Sequence, residues 1–269
     1  MNDPAGSASQ LRRPTGDARV WVAVAVLLGY IAVFYGIAQS SGIPYREWFA
    51  NAGNATRSAL IPLAVGSGFL FLCLGMLRWN AIWRDPVRLP TNRLHWILLL
   101  LFAGIILFRF VFIRWNEVPG DLLLVVFGVG VGVGFAEEMA LRGFFLRGMR
   151  TDGRGEGRAV LLTCVAFGLL HIPNIFLGMG LMGLLQLVMA GLTGFILYLY
   201  RRRFAWIVPA MIAHGLWDIS MFLSADYLSE TMNYLSIALT FLMQILALVA
   251  LIQFVRREQA PVSIPAITR

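Results

Sequence analysis

Five side chains able to accept or donate protons interrupt otherwise apolar stretches of this 269-residue chain. Glu137 and Glu138 sit in GFAEEMALRGFF (134–145), His171 ends FGLLH (167–171), and His214 and Asp218 bracket HGLWD (214–218). A carboxylate beside imidazoles is a general-base set: the carboxylate takes a proton from water, and an imidazole assists or steadies the developing charge. The same residue types also build proton relays across membranes and zinc sites. Within the first cluster, Glu138 and Arg142 stand i,i+4 with the acid N-terminal, the better orientation for an ion pair on one helix face. Glu137 is rotated by about 100° from Glu138 and stays free to work. His214 and Asp218 are also i,i+4, so the carboxylate can fix the histidine's tautomer or accept its N–H. Pro173 and Asn174, just past His171, offer freed backbone carbonyls and an amide. Each cluster also has a plain structural reading, as an ion-pair node, a backbone-bonded histidine or a polar clasp between helices.

The elements that must position these groups are helices in a membrane. The chain is 59% hydrophobic and 13% charged, against about 25% charged in soluble domains. Spans of about 20 apolar residues fall near 20–39, 59–77, 96–114, 122–146, 159–172, 181–200, 204–223 and 234–255. The expected fold is therefore all-α and polytopic, with about eight transmembrane helices, and spans 4, 5 and 7 carry the site. The first run is too long for a removable signal core and reads as an anchor. Pro209 is expected to kink span 7. The run FGVGVGVGF (127–135) alternates like a strand. Lipid admits only helices or closed barrels, so it reads as a helix with Gly128/Gly132 and Gly130/Gly134 at close-packing spacing. Cys73 and Cys164 lie in apolar runs and read as packing, not as a disulfide.

The net charge of +8 does not indicate nucleic acid. All 22 basic residues are arginine, and most fall in short loops, where they set orientation and touch lipid headgroups. Seventeen lie at the N-terminus, in alternate loops or at the C-terminal end: Arg12, Arg13, Arg19, Arg78, Arg84, Arg88, Arg93, Arg147, Arg150, Arg154, Arg158, Arg201 to Arg203, Arg256, Arg257 and Arg269. Only Arg46, Arg57 and Arg114 occupy the opposite loops. That asymmetry puts both termini in the cytoplasm, with the protein in a cell membrane of the bacterial inner-membrane kind. Trp21, Trp79, Trp83, Trp96, Trp115 and Trp206 near helix ends suit an aromatic belt. Arg109, near the end of span 3, is expected to snorkel toward Arg114, and Gln186 and Gln244 to bond between helices. The expected division is a disordered segment 1–19, three spans in 20–119, a catalytic core in 120–222, a last loop and helix in 223–257, and a tail 258–269.

Depth brings the polar residues together. At about 1.5 Å per residue, Glu137 lies about 15 Å from Arg147, His214 about 15 Å from Arg203, His171 about 20 Å from Arg158 and Asp218 near 21 Å. All four fall in the middle third of a hydrocarbon slab about 30 Å thick.

EEMALR (137–142), FGLLH (167–171) and HGLWD (214–218) fit EExxxR, FxxxH and HxxxN/D. In that order, on successive spans, they resemble the CPBP family of intramembrane proteases, which includes the CAAX prenyl endopeptidases and the bacteriocin-immunity and lysostaphin-resistance-like proteins. The resemblance covers about residues 120–222. It implies that Glu137 and His171 activate water, that His214 and Asp218 stabilise the oxyanion, and that Glu138 and Arg142 hold the site. Many members carry Asn where this chain has Asp218; an ionised Asp would repel an oxyanion, so Asp218 is protonated, orients His214 or ligates a metal. The family has been called metalloprotease. The chain has no HExxH, and the metal-free glutamic mechanism is favoured, with no cofactor, while zinc stays possible. Implied partners are the lipid bilayer and a membrane-associated protein or peptide, without nucleic acid; oligomeric state is open. Two other readings remain: a proton- or cation-coupled transporter, and a catalytically silent membrane scaffold or immunity protein.

Overall fold

The computed structural model describes residues 20–85, 90, 92–151 and 155–258. The segment 1–19, expected to be disordered, and the expected tail from residue 259 onward lie outside the described residues, with Arg12, Arg13, Arg19, Arg88, Arg154 and Arg269. The described chain is all helical apart from its connections. Eight helices are long and apolar enough to cross a membrane: α1 (Val20–Ser40), α2 (Ala52–Leu77), α3 (Arg93–Phe112), α4 (Gly120–Arg150), α5 (Glu156–Met179), α6 (Met182–Phe204), α7 (Val208–Tyr227) and α8 (Glu230–Arg257). Side chains close the orphan N–H groups at three starts. Asn51, Asn92 and Ser229 accept from the backbone N–H of Asn54, His95 and Met232.

Pro209 does not kink α7. The preceding helix ends at Ala205 in a left-handed conformation, and Pro209 falls in the first turn of α7, where its missing N–H costs no hydrogen bond.

The glycine run is helical and serves two neighbours. Gly130 and Gly134 meet α7: a Cβ on Gly130 would lie 2.9 Å from the Gly215 carbonyl oxygen, and one on Gly215 2.6 Å from that of Gly130. A Cβ on Gly134 would strike the Met211 carbonyl. Gly128 and Gly132 face Leu60 and Leu63 of α2. Backbone contact of this kind brings α4 and α7 as close as helices pack, one turn before the glutamate pair.

The arginines counted toward orientation divide into two populations. Arg147, Arg150, Arg201 and Arg202 are buried, not spread over headgroups. Arg150 forks onto Glu156 (2.5 and 2.9 Å) and reaches Asp85 at 2.6 Å, which also holds Arg201 at 3.2 Å and Arg202 at 3.7 Å. Tyr198 donates to Glu156 at 2.6 Å. The cluster ties the α2–α3 connection, α4, α5 and α6 at one end of the bundle. Trp79 is fully buried against Phe144 and Arg147 and takes no part in a belt, whereas Trp21, Trp96, Trp115 and Trp206 are exposed.

Burial alone would raise the Asp85 carboxyl; the guanidinium groups of Arg201 and Arg150 overcome this and hold it well below the usual carboxylate range. A carboxyl depressed in the fold stabilises above its unfolded value of about 3.9 and loses that contribution as acid titrates it. Asp85→Ala is expected to destabilise by about 3–5 kcal/mol at pH 7 in detergent unfolding. The deficit shrinks progressively below about pH 4, where the wild type loses the same contribution.

Candidate active site

Glu137 and Glu138 end the α-helical part of α4, and the next seven residues, Met139–Phe145, form a π-helical turn. Such turns are rare and often mark functional sites. Every residue from Ala136 to Arg150 is buried. The brace expected from spacing is present: Arg142 Nη1 donates to Glu138 Oε1 at 2.8 Å with both side chains inaccessible. Arg142 Nη2 donates to the Gly194 carbonyl of α6 at 2.8 Å, and the guanidinium lies 4.4 Å over the Phe167 ring. Arg201 donates to the Arg142 carbonyl, linking the brace to the buried ion cluster.

Glu138 also accepts a hydrogen bond from α7. His214 Nδ1 lies 2.9 Å from the Glu138 oxygen that Arg142 holds. An oxygen bound by a guanidinium is a carboxylate acceptor, so Nδ1 carries the proton. Glu138, not Asp218, therefore fixes the His214 tautomer. Nε2 points the other way, 3.9 Å from both Glu137 Oε2 and Asp218 Oδ2. That is too long for direct hydrogen bonds and suits a group shared among them. Glu137 Oε2 has no hydrogen-bond partner among the described residues.

His171 stands where α5 breaks. Regular helix ends at Leu170, and Pro173 opens a short turn followed by π geometry to Met179. Its Nδ1 lies 2.9 Å from the Phe167 carbonyl, which can only accept; neutral His171 therefore carries its lone pair on Nε2. The Phe167 ring meets both imidazoles edge-on, at 5.3 and 5.5 Å between centroids. Glu137, His171, His214 and Asp218 all line one cavity of about 600 Å³, within the roughly 300–1,000 Å³ usual for ligand sites.

Further polar groups line the same cavity. Gln186 links Asn174 to Tyr45, and Gln244 donates to Thr193; both glutamines bond between helices as expected. Burial pushes the Tyr45 hydroxyl up to about 12. Cys73 and Cys164 are free thiols.

Arg109 overturns its expected position. It does not snorkel: it is 2% exposed and reaches across the bundle to Ser236 (2.7 Å), Thr240 (3.0 Å) and Ser220 (3.4 Å), with its guanidinium 4.3 Å over Trp217. Three hydroxyls on α7 and α8 replace the water that snorkelling would have found, and its charge attracts Asp218. Ser220 and Thr240 already donate to backbone carbonyls, so Arg109→Met removes the charge opposite Asp218 and leaves the buried Ser236 hydroxyl without its Arg109 bond. Arg109→Met is expected to destabilise, and Asp218→Asn in the same chain to recover most of the loss. A double-mutant cycle in detergent unfolding checks the coupling, expected at about 1–3 kcal/mol.

Zinc would need three or four protein donors around one point. Among the described residues no three His, Cys, Asp or Glu side chains form such a group.

Among the described residues, eight helices long and apolar enough to span a bilayer surround a cavity lined by carboxylates and imidazoles, and this architecture defines a polytopic membrane protein. Residues 119–220, a little more than a third of the chain, match the model of the Rce1-like family, described as type II CAAX prenyl endopeptidase Rce1-like. At the family level the match supports an intramembrane endopeptidase of the CAAX type, and the matched segment holds Glu137, His171, His214 and Asp218. No curated protein and no solved structure matches the chain.

Proposed function

We propose that the cavity hydrolyses a peptide bond of a membrane-associated protein by a metal-free, glutamate-dependent mechanism. The observation that carries this reading is the approach of Glu137 Oε2 and His214 Nε2 to 3.9 Å in a cavity that His171 also lines. Glu137, free of the brace, removes a proton from water, and the lone pair on His171 Nε2 supports the same transfer. The hydroxide attacks the carbonyl carbon, and the oxyanion that forms accepts from His214 Nε2. Since Nδ1 already donates to Glu138, this requires His214 as imidazolium, a form that Glu138 and Asp218 both favour by charge. The proton held by Glu137 then passes to the leaving amine. Asp218 orients and balances the imidazolium, and Arg109 offsets the repulsion between Asp218 and the oxyanion.

Purified protein in proteoliposomes is expected to cleave a quenched-fluorescent apolar membrane peptide with the same rate in the presence of a chelator. Cleavage abolished by chelator and restored by zinc would overturn the metal-free mechanism. A Glu137-dependent solute or proton flux without cleavage would instead establish a transporter.

A further inference from the structure

The exposed part of the cavity lining lies toward one end of the bundle. The deep wall is Glu137, His171 and His214, and beyond Glu137 the chain is buried through to Arg150. The Glu138–Arg142 brace closes that wall, and the cluster of Asp85, Arg150, Glu156, Arg201 and Arg202 seals the bundle end behind it. The rim lies at the other end. It includes Arg46 and Ala50 from the α1–α2 connection and Ala225 and Asp226 from the last turn of α7, all exposed. The helix order puts these connections on the side opposite Arg78, Arg158, Arg203 and Arg257. By the bias of arginine toward cytoplasmic loops, the sealed end faces the cytoplasm and the rim faces out.

We infer that the site takes its substrate from the extracytoplasmic side. Resting on the peptidase reading, the inference names the substrate class: an exported, membrane-anchored polypeptide that presents an extended apolar segment beside the outer bilayer surface. The walls between rim and glutamate favour such a segment. Trp48, Phe49 and Phe222 supply aromatic surface, and Met182, Met189 and Met221 supply side chains that adapt to varied apolar shapes. Arg46 and Asp226 put one charge of each sign at the rim, where the hydrated part of the substrate would cross the interface. Translocation across the membrane must then precede this cleavage. A cytoplasmic tail would meet the sealed ion cluster instead.

The test uses the full chain in bacterial cells, with Cys73 and Cys164 replaced by Ala and single cysteines introduced as Ala50→Cys, Ala225→Cys or Arg257→Cys. A membrane-impermeant maleimide is expected to label the two rim variants in intact cells and Arg257→Cys only after lysis. Maleimide on either rim cysteine is expected to abolish cleavage of a charged-tagged apolar peptide added outside the cells, relative to the same variant unlabelled. Labelling of Arg257→Cys in intact cells with the rim protected, or cleavage of the peptide only after permeabilisation, would overturn the inference. Detergent-solubilised protein, where sidedness is lost, separates the two questions. If it does not cleave the peptide, the peptidase reading fails; if it cleaves while intact cells do not, only the outward-facing inference fails.

Discussion

Glu137→Gln is expected to lower kcat for hydrolysis of a membrane peptide by about 10²–10⁴-fold while leaving KM and the unfolding midpoint nearly unchanged. Glutamine fills the same volume, so the cavity wall keeps its shape, and the amide cannot take a proton from water. The fold does not lean on this carboxylate: Arg142 pairs with Glu138, and Glu137 Oε2 bonds to nothing among the described residues. A loss confined to kcat is the signature of an interaction made only in the transition state. Glu138→Gln makes the comparison. It removes a charge shared by Arg142 and His214, so its effect is expected in stability as well as rate. Steady-state kinetics with a quenched peptide, alongside detergent unfolding of both variants, check the pair. Wild-type kcat in Glu137→Gln would move the base to another residue.

Much of this site is legible in the sequence because helix rise is nearly constant. Counting about 1.5 Å per residue from the arginine loops brings Glu137, His171, His214 and Asp218 to one level, and all four line one cavity. Spacing along one helix also gives the Glu138–Arg142 pair directly. What spacing cannot rank is a partner on the same helix against one on another. Asp218, four residues from His214, looks like its natural acceptor, yet Glu138 receives the Nδ1 proton because Gly130, Gly134 and Gly215 bring α4 against α7. Arg109 fails for a related reason. Three residues from the end of α3 it reads as a snorkelling cation, and only packing shows Ser220, Ser236 and Thr240 converging on it from two distant helices. The buried arginine cluster depends on Asp85 and Glu156, acids that lie in loops by sequence and fold inward between helix ends. The π turn after Glu138 has no sequence period that announces it.

Arg142→Leu is expected to destabilise the protein by about 3–5 kcal/mol, the largest stability loss of any single change at the site. The guanidinium satisfies Glu138, the Gly194 carbonyl and the face of Phe167 at once. Removing it leaves a buried carboxylate whose one remaining hydrogen-bond partner among the described residues is His214. Arg142→Lys is not conservative: one ammonium cannot form the planar fork that reaches Glu138 and Gly194 together, so an intermediate loss is expected. Pairing Arg142→Leu with Glu138→Gln separates the causes. Glutamine oxygen still accepts from His214 Nδ1 but carries no charge. If the penalty is the stranded carboxylate, the double variant regains most of the lost stability in detergent unfolding. If the penalty is lost packing over Phe167 and the unpaired Gly194 carbonyl, the two losses add. Hydrolysis discriminates further, because in the proposed mechanism the double variant lacks one of the two negative charges that favour His214 as imidazolium. Recovered stability with kcat still depressed is therefore the expected outcome, assigning the brace two separable tasks: neutralising charge for the fold and charging His214 for the reaction.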